Sequence, residues 1–258
     1  MATIGIFDSG VGGLSIFKEI RELLPNERYF YYGDSANCPY GIKGPEFIRN
    51  RSLEITDKLV SQGAQLIVVA CNTATSYAID SLRRSYPTIH FVGTVPGVKP
   101  AAQITKTGII GVLATYGTLN APLYKQIRDT WGANVQVLER EGKGFVEIVE
   151  RLDFESDNAE NVVRKVVEPL IEAKADTLVL GCTHYPFLVK TIEKVANRIA
   201  EERNLGFQVN VYNPAMAIAK HVRVVLEENN IEIGSNQPQT ILWSSGDENL
   251  LNKLYNIL

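Results

Sequence analysis

Short apolar runs alternate with longer amphipathic stretches from one end of the chain to the other. The runs predict strands at Ile4–Phe7, Arg28–Tyr32, Leu66–Ala70, Ile89–Val92, Ile109–Leu113, Val135–Leu138, Thr177–Leu180, Val209–Tyr212 and Ile241–Trp243. Between most of them lie segments of helical length, over Gly13–Leu24, Pro45–Gln62, Asn72–Tyr86, Ala159–Ala173, Phe187–Arg203 and Pro214–Glu228. Strand and helix alternating in this way indicate α/β units built on parallel sheets. The run Leu66-Ile67-Val68-Val69-Ala70 has no polar alternation, as expected of a strand covered on both faces. The segment from Gly33 to Gly44, punctuated by Pro39 and rich in glycine, is expected to cross the surface without regular structure.

The chain also resembles itself. Ile4-Gly5-Ile6-Phe7-Asp8-Ser9 overlays Ile110-Gly111-Val112-Leu113-Ala114-Thr115, and Val68-Val69-Ala70-Cys71-Asn72-Thr73 overlays Val179-Leu180-Gly181-Cys182-Thr183-His184, at offsets of 106 and 111 residues. Buried strands followed by small residues look alike in many proteins, but the near-equal offsets favour two related α/β halves. In such sheets the loops at the strands' carboxyl ends face the ligand cleft.

Composition narrows the class. The 258 residues, at about 150 per domain, fit one large or two medium domains. An apolar share of 45% is that of a folded globular protein. A formal charge of −3 and a pI near 5.7 leave no basic footprint, so nucleic acid is not expected as the primary partner. No apolar run approaches the roughly 20 residues that span a bilayer, and no membrane association is expected. The N-terminus lacks the basic and apolar regions of a signal peptide. Three cysteines, an odd number in a chain this long, do not suggest a disulfide framework. A cytoplasmic protein is expected.

Cys71 and Cys182 are the sharpest chemical feature. Each directly follows an apolar strand and precedes short polar residues, Asn72-Thr73 and Thr183-His184, able to open a helix. A thiol near a helix N-terminus is favoured as thiolate. Single cysteines are most often small buried hydrophobes, but matched positions in a pseudo-repeat argue for a shared task. Metal binding asks for three or four ligands, and neither CxxC nor HExxH occurs. A dithiol couple remains open, without the close spacing of a redox motif. Stereoinversion at a carbon acid does need two groups, a base on one face and an acid on the other. A thiol titrating near about 8.5 can be tuned to supply either form near neutrality.

Other residues gather around these thiols. The glycines of Asp8-Ser9-Gly10-Val11-Gly12-Gly13 do not complete GxGxxG, because Ser15 stands at its last position. They serve a tight strand-to-helix turn, and its N–H groups can receive a carboxylate. Asp8, at the sheet's edge, is placed to orient an ammonium or assist a thiol. His184, two residues after Cys182, faces the same way as that thiol if the backbone is extended, as a charge partner or proton relay. The same Cys/His pair suits a thiol hydrolase. His90 and His221 read as structural or surface residues, and Cys38, in the long loop, as a bystander.

Taken together, the strings Gly5-Ile-Phe-Asp-Ser-Gly-Val-Gly-Gly13, Gly33-Asp34…Pro39-Tyr40-Gly41, Ala70-Cys-Asn-Thr-Ala74, Gly111-Val-Leu-Ala-Thr115 and Gly181-Cys-Thr-His-Tyr-Pro186 resemble the cofactor-independent glutamate racemases of the aspartate/glutamate racemase superfamily. The resemblance covers essentially the whole chain. It implies two pseudo-symmetric α/β domains with mostly parallel sheets and the active site between them, residues 1–96 plus 208–258 forming the first and 97–207 the second. It implies Cys71 as the base toward the D-isomer and Cys182 toward the L-isomer, with Asp8 and His184 as auxiliary catalytic groups. Ser9, Tyr40, Gly41, Asn72, Thr73 and Thr183 would bind substrate together with Asp8 and His184, supported by Thr115, Thr118 and Glu150. The substrate would be D- or L-glutamate, destined for peptidoglycan synthesis, with no cofactor and no metal, in a possible homodimer. Close alternatives are an aspartate or broader acidic amino-acid racemase; more distant ones are the thiol hydrolase and a non-catalytic amino-acid binder. Two departures from the family pattern stand out. Gly142-Lys-Gly-Phe-Val-Glu-Ile-Val149 precedes Glu150 where relatives carry a Cys-Pro-type helix start, and Asn213 replaces a common Asp.

Overall fold

The computed structural model describes residues 1–234 and 238–257. These separate into two compact units, Met1–Thr94 with Ala215–Leu258 and Val95–Pro214. The first begins with β1 (Thr3–Asp8), α1 (Leu14–Leu23), β2 (Arg28–Gly33), α2 (Pro45–Ser61), β3 (Leu66–Val69), α3 (Asn72–Ser85) and β4 (His90–Gly93). The second contains α4 (Val98–Ile104), β5 (Ile109–Ala114), α5 (Tyr116–Asn120), α6 (Pro122–Trp131), β6 (Gln136–Glu141), α7 (Phe145–Glu150), α8 (Asp157–Glu172), β7 (Thr177–Gly181), α9 (Val189–Glu202) and β8 (Asn210–Tyr212). The chain then returns to the first unit as α10 (Ala215–Glu228), β9 (Gln239–Ser244) and α11 (Glu248–Ile257).

Every strand pairing among the described residues is parallel. The first sheet has the order β4-β3-β1-β2-β9 and the second β6-β5-β7-β8. Apart from the added β9, these are one topology used twice. In each, the first strand is flanked by the second and third, and the fourth lies outside the third. The sequence overlay of β1 on β5 and β3 on β7 is therefore an overlay of equivalent strands. Burial explains the composition: all four residues of β3 and all five of β7 are buried, as parallel strands sandwiched by helices must be.

The structure departs from the expectations in three places, the third a boundary that the resemblance implied. The 33–44 segment is not irregular: it forms two short 3₁₀ turns, Ser35–Asn37 and Tyr40–Ile42, closed by Asn37 N–H to Asp34 O and Lys43 N–H to Tyr40 O. Helices α4, α5, α6 and α11 were not anticipated, and α7 only through the resemblance; with 5 to 10 residues each, they offer little periodicity to read. The second unit also extends beyond residue 207, because β8 hydrogen-bonds along β7 from Thr177↔Asn210 to Val179↔Tyr212. Tyr212 closes over Gly97, where an added Cβ would lie 2.3 Å from the phenol ring.

Buried carboxylates anchor the amino ends of both sheets. Before β2, Glu27 accepts the backbone N–H of Ala2 and of Gly234, each at 2.6 Å. Before β7, Asp176 accepts the Thr105 hydroxyl at 2.5 Å and the N–H groups of Lys106 and Thr107 at 2.6 and 3.0 Å. Burial opposes ionisation of Asp176, but the donors from Thr105, Lys106, Thr107 and Thr177 outweigh it and hold the carboxyl below its ordinary value. A carboxyl depressed in this way stabilises the fold above its unfolded value near about 3.9, and the contribution fades as pH falls through the lower folded value. Asp176→Asn sets an amide N–H₂ among donors. Thermal unfolding at pH 7 should show a loss of about 1–3 kcal/mol, and the gap to the parent protein should narrow as the scans are taken to pH 3 and below.

Candidate active site

In the first unit the chemistry collects where β1 and β3 end side by side. Phe7 pairs with Val69, and Ala70 N–H donates to Phe7 O at 2.8 Å, so Asp8-Ser9 and Cys71-Asn72-Thr73 leave the sheet together. All five are buried. Cys71 is the N-cap of α3 and accepts the Ala74 N–H on Sγ at 3.4 Å. Such a donor, at the positive end of a 14-residue helix, favours negative charge on sulfur. Ser9 Oγ lies 3.7 Å from the same sulfur. The Asp8 carboxylate turns back to accept Gly10 N–H at 3.0 Å. Asn72 Oδ1 is buried with no hydrogen-bond partner, an acceptor left for a ligand's N–H.

Gly13 sits behind Asp8 for a steric reason. An added Cβ would lie 2.6 Å from Asp8 Cβ and 2.8 Å from the Tyr31 hydroxyl, and that hydroxyl donates to Gly10 O at 3.0 Å. The glycine turn thus lets α1 start close against the carboxyl end of β1.

Tyr40 and Gly41 lie in the second 3₁₀ turn, both buried. The Tyr40 hydroxyl points into the unit and donates to Asp34 Oδ2 at 2.7 Å. Burial pushes this phenol far above its ordinary value, with further rises from Asp34 and from Cys71. Tyr40 therefore stays a donor committed to Asp34. Sequence reasoning assigned no role to Asp34 or to Arg51, which grips it from α2. Nothing in a spacing of 17 residues announces that contact.

In the second unit the equivalent ends are those of β5 and β7, with Ala114 paired to Gly181. Thr115 caps α5, accepting Thr118 N–H at 3.3 Å, and the two hydroxyls lie 3.1 Å apart. Cys182, Thr183 and His184 are buried. His184 Nδ1 is 3.9 Å from Cys182 Sγ, and Nε2 is 2.7 Å from Glu150 Oε1. Sulfur, imidazole and carboxylate form one chain, in which Glu150 fixes the ring and a proton can pass along it.

Two expectations for this half are corrected. His184 does not reach Cys182 through extended backbone: its φ and ψ are −74° and −32°, and Tyr185 N–H to Cys182 O closes a turn. The imidazole comes beside the sulfur because the chain folds over. Nor does Cys182 open an α-helix: a 3₁₀ turn, Tyr185–Leu188, intervenes before α9 starts at Val189. The two thiols are thus served differently, Cys71 by a helix N-terminus and Cys182 by His184 and Glu150.

The unusual glycines before Glu150 also have a cause. A Cβ on Gly142 would lie 2.5 Å from the Tyr185 phenol carbon and oxygen, and Gly144 has φ +89°, a conformation that favours glycine. Both shape the turn that opens α7 and carries Glu150. Of the remaining histidines, His90 begins β4 and His221 is exposed on α10, away from the carboxyl ends.

Residues 4–222 match the family model described as Asp/Glu/Hydantoin racemase. The chain belongs to this family. It is 40% identical over 246 residues to the glutamate racemase of Ectopseudomonas mendocina, covering 95% of this chain and 90% of that one. Its fold is similar to that of Escherichia coli glutamate racemase in complex with L-glutamate and the activator UDP-MurNAc-ala, with a TM-score of 0.85, 30% identity, and coverage of 99% and 94%. It is also similar to the Francisella tularensis glutamate racemase in complex with D-glutamate, with a TM-score of 0.84, 26% identity, and coverage of 99% and 92%. Like these, it is an α/β protein built on parallel sheets. No helix among the described residues is long and apolar enough to cross a membrane.

Filling the space behind Asp8 tests the packing at the first site. Gly13→Ala should destabilise the protein by about 1–3 kcal/mol through overcrowding, read as a lower unfolding midpoint, and should depress racemase turnover measured well below that midpoint.

Proposed function

We propose that the protein interconverts L- and D-glutamate by a two-base mechanism in which Cys71 and Cys182 exchange the roles of base and acid. The observation that carries the reading is the placement of the two thiols: each stands at the carboxyl end of the third strand of a repeated 2-1-3-4 sheet. The substrate follows from the relatives, which are named glutamate racemases.

Toward D-glutamate, the Cys71 thiolate removes the α-proton. The C–H bond breaks, its electron pair passes into the α-carboxylate as an enolate, and an S–H bond forms. Cys182, as thiol, delivers its proton to the opposite face and becomes the thiolate. The L-isomer leaves with the protonation of the thiols reversed, ready for reaction in the other direction. The helix N-terminus and Ala74 N–H steady charge on Cys71, with Asp8 and Ser9 nearby. His184, held by Glu150, steadies charge on Cys182 and relays its proton. Asn72 Oδ1, Thr73, Thr183 and the Tyr40-Gly41 turn bind the substrate's ammonium and carboxylates, with Thr115 and Thr118 in support. The Tyr40 hydroxyl is already committed to Asp34, so that turn contributes through its backbone. No step calls for a cofactor or metal. The D-glutamate formed supplies peptidoglycan synthesis, in the cytoplasm, by a protein able to pair as a homodimer.

A second reading is kept by one observation, the Cys182–His184–Glu150 chain, which is also the constellation of a thiol hydrolase. That reading has no use for Cys71.

Circular dichroism of L-glutamate incubated with purified protein in deuterium oxide, with no cofactor added, tests the proposal. The signal should decay to zero with deuterium entering at the α-carbon; a stable signal and no exchange would refute it. Cys71→Ser and Cys182→Ser should each lower turnover in both directions by about 100- to 10,000-fold. Full turnover by Cys71→Ser would discard the two-base mechanism and favour the hydrolase. Glutamate bound but unchanged by the parent protein would mark a binder.

A further inference from the structure

The carboxylate of Asp34 is fully buried, yet no step of the mechanism uses it. Asp34 follows β2 directly, and its N–H donates to Asp8 O at 2.9 Å, which fixes it beside the catalytic end of β1. Its Oδ1 accepts Arg51 Nη2 at 2.7 Å. Its Oδ2 accepts Arg51 Nε at 2.9 Å, the Tyr40 hydroxyl at 2.7 Å and Asn37 Nδ2 at 3.1 Å. Arg51 is itself pinned, donating to the Tyr32 hydroxyl at 3.0 Å and to Glu54 at 2.7 Å. Ser245, just past β9, accepts Ala36 N–H at 3.1 Å and so braces the first 3₁₀ turn from the returning C-terminal segment. The guanidinium fork, which Lys cannot reproduce, therefore meets the carboxylate that holds both 3₁₀ turns of the 33–44 segment.

We propose that Arg51 and Asp34 are positioning residues for the substrate-binding turn Tyr40-Gly41, setting substrate affinity without entering the proton transfer. This rests on the glutamate racemase reading. The physical basis is that a turn of three residues has almost no hydrogen bonding of its own. Its placement is dictated by the Tyr40 hydroxyl, and that hydroxyl is only as fixed as the carboxylate it meets. Asp34 alone would be an unpaired buried charge; Arg51 makes it a rigid acceptor. Because the Tyr40 hydroxyl is spent on Asp34, the pair acts on the turn's backbone at one remove.

Steady-state kinetics of Arg51→Gln, Arg51→Lys and Tyr40→Phe in both directions test this, with unfolding midpoints measured beside them. Arg51→Gln should raise KM for both isomers about tenfold while kcat stays within about threefold. Since the enantiomers are equal in energy, kcat/KM must fall equally in the two directions. Arg51→Lys should recover part of the affinity through its charge, and not all of it. Tyr40→Phe cuts the tether while leaving the ion pair intact, and should raise KM in the same manner even if Arg51→Gln fails to fold. Unchanged KM in folded variants, or a fall in kcat at unchanged KM, would overturn the assignment. A parent protein that does not racemise glutamate would instead overturn the function on which it rests.

Discussion

Parallel pairing of the first and third strands in each sheet is the constraint on which this protein's chemistry depends. Parallel strands deliver their carboxyl ends to one edge, and pairing in register makes neighbouring ends stop together. Phe7 beside Val69 and Ala114 beside Gly181 are the last pairs before the segments that carry Asp8, Ser9 and Cys71 in one sheet and Thr115 and Cys182 in the other. The chain order places the second strand on one side and the third on the other, so each pair of ends also lies where the connections diverge, the place open α/β sheets use for ligands. Buried, tightly hydrogen-bonded strands hold these ends more firmly than a loop scaffold would.

Each sheet thus has two functionally distinct edges. The amino edges carry Glu27 and Asp176, carboxylates saturated by backbone and hydroxyl donors that close the connections entering the strands. The carboxyl edges carry thiols, hydroxyls and Asn72 Oδ1, which has no partner of its own. The Asp34–Arg51 pair stands between these extremes. It lies at a carboxyl edge, yet it is fully used in holding its own turn.

The repeat is close in topology and loose in chemistry. Cys71 caps a helix, whereas Cys182 is followed by a 3₁₀ turn and draws on His184 and Glu150. Equal energies of two enantiomers in solution do not require symmetric surroundings on the protein. A helix terminus and a histidine–carboxylate chain are two ways of steadying a negative sulfur. The glycines before Glu150 belong to the second of these, since Tyr185 leaves no room for a side chain at residue 142.

Much of this was legible in the chain alone. Nine apolar runs became nine strands; the wholly buried ones, β3 and β7, were plainest because burial on both faces leaves little room for polar alternation. The two thiols were legible because a repeat doubles a signal that one cysteine does not give. Four of the short helices were not, nor were the two turns within 33–44, because segments this short are set largely by contacts distant in sequence. Only the tertiary structure brought Glu150 to His184 across 34 residues and Arg51 to Asp34 across 17. It also turned the Tyr40 hydroxyl inward and gave β8 to the second sheet. Local pattern fixes which segments are strands and what stands at their ends; which side chains meet there depends on packing, whose partners no local pattern encodes.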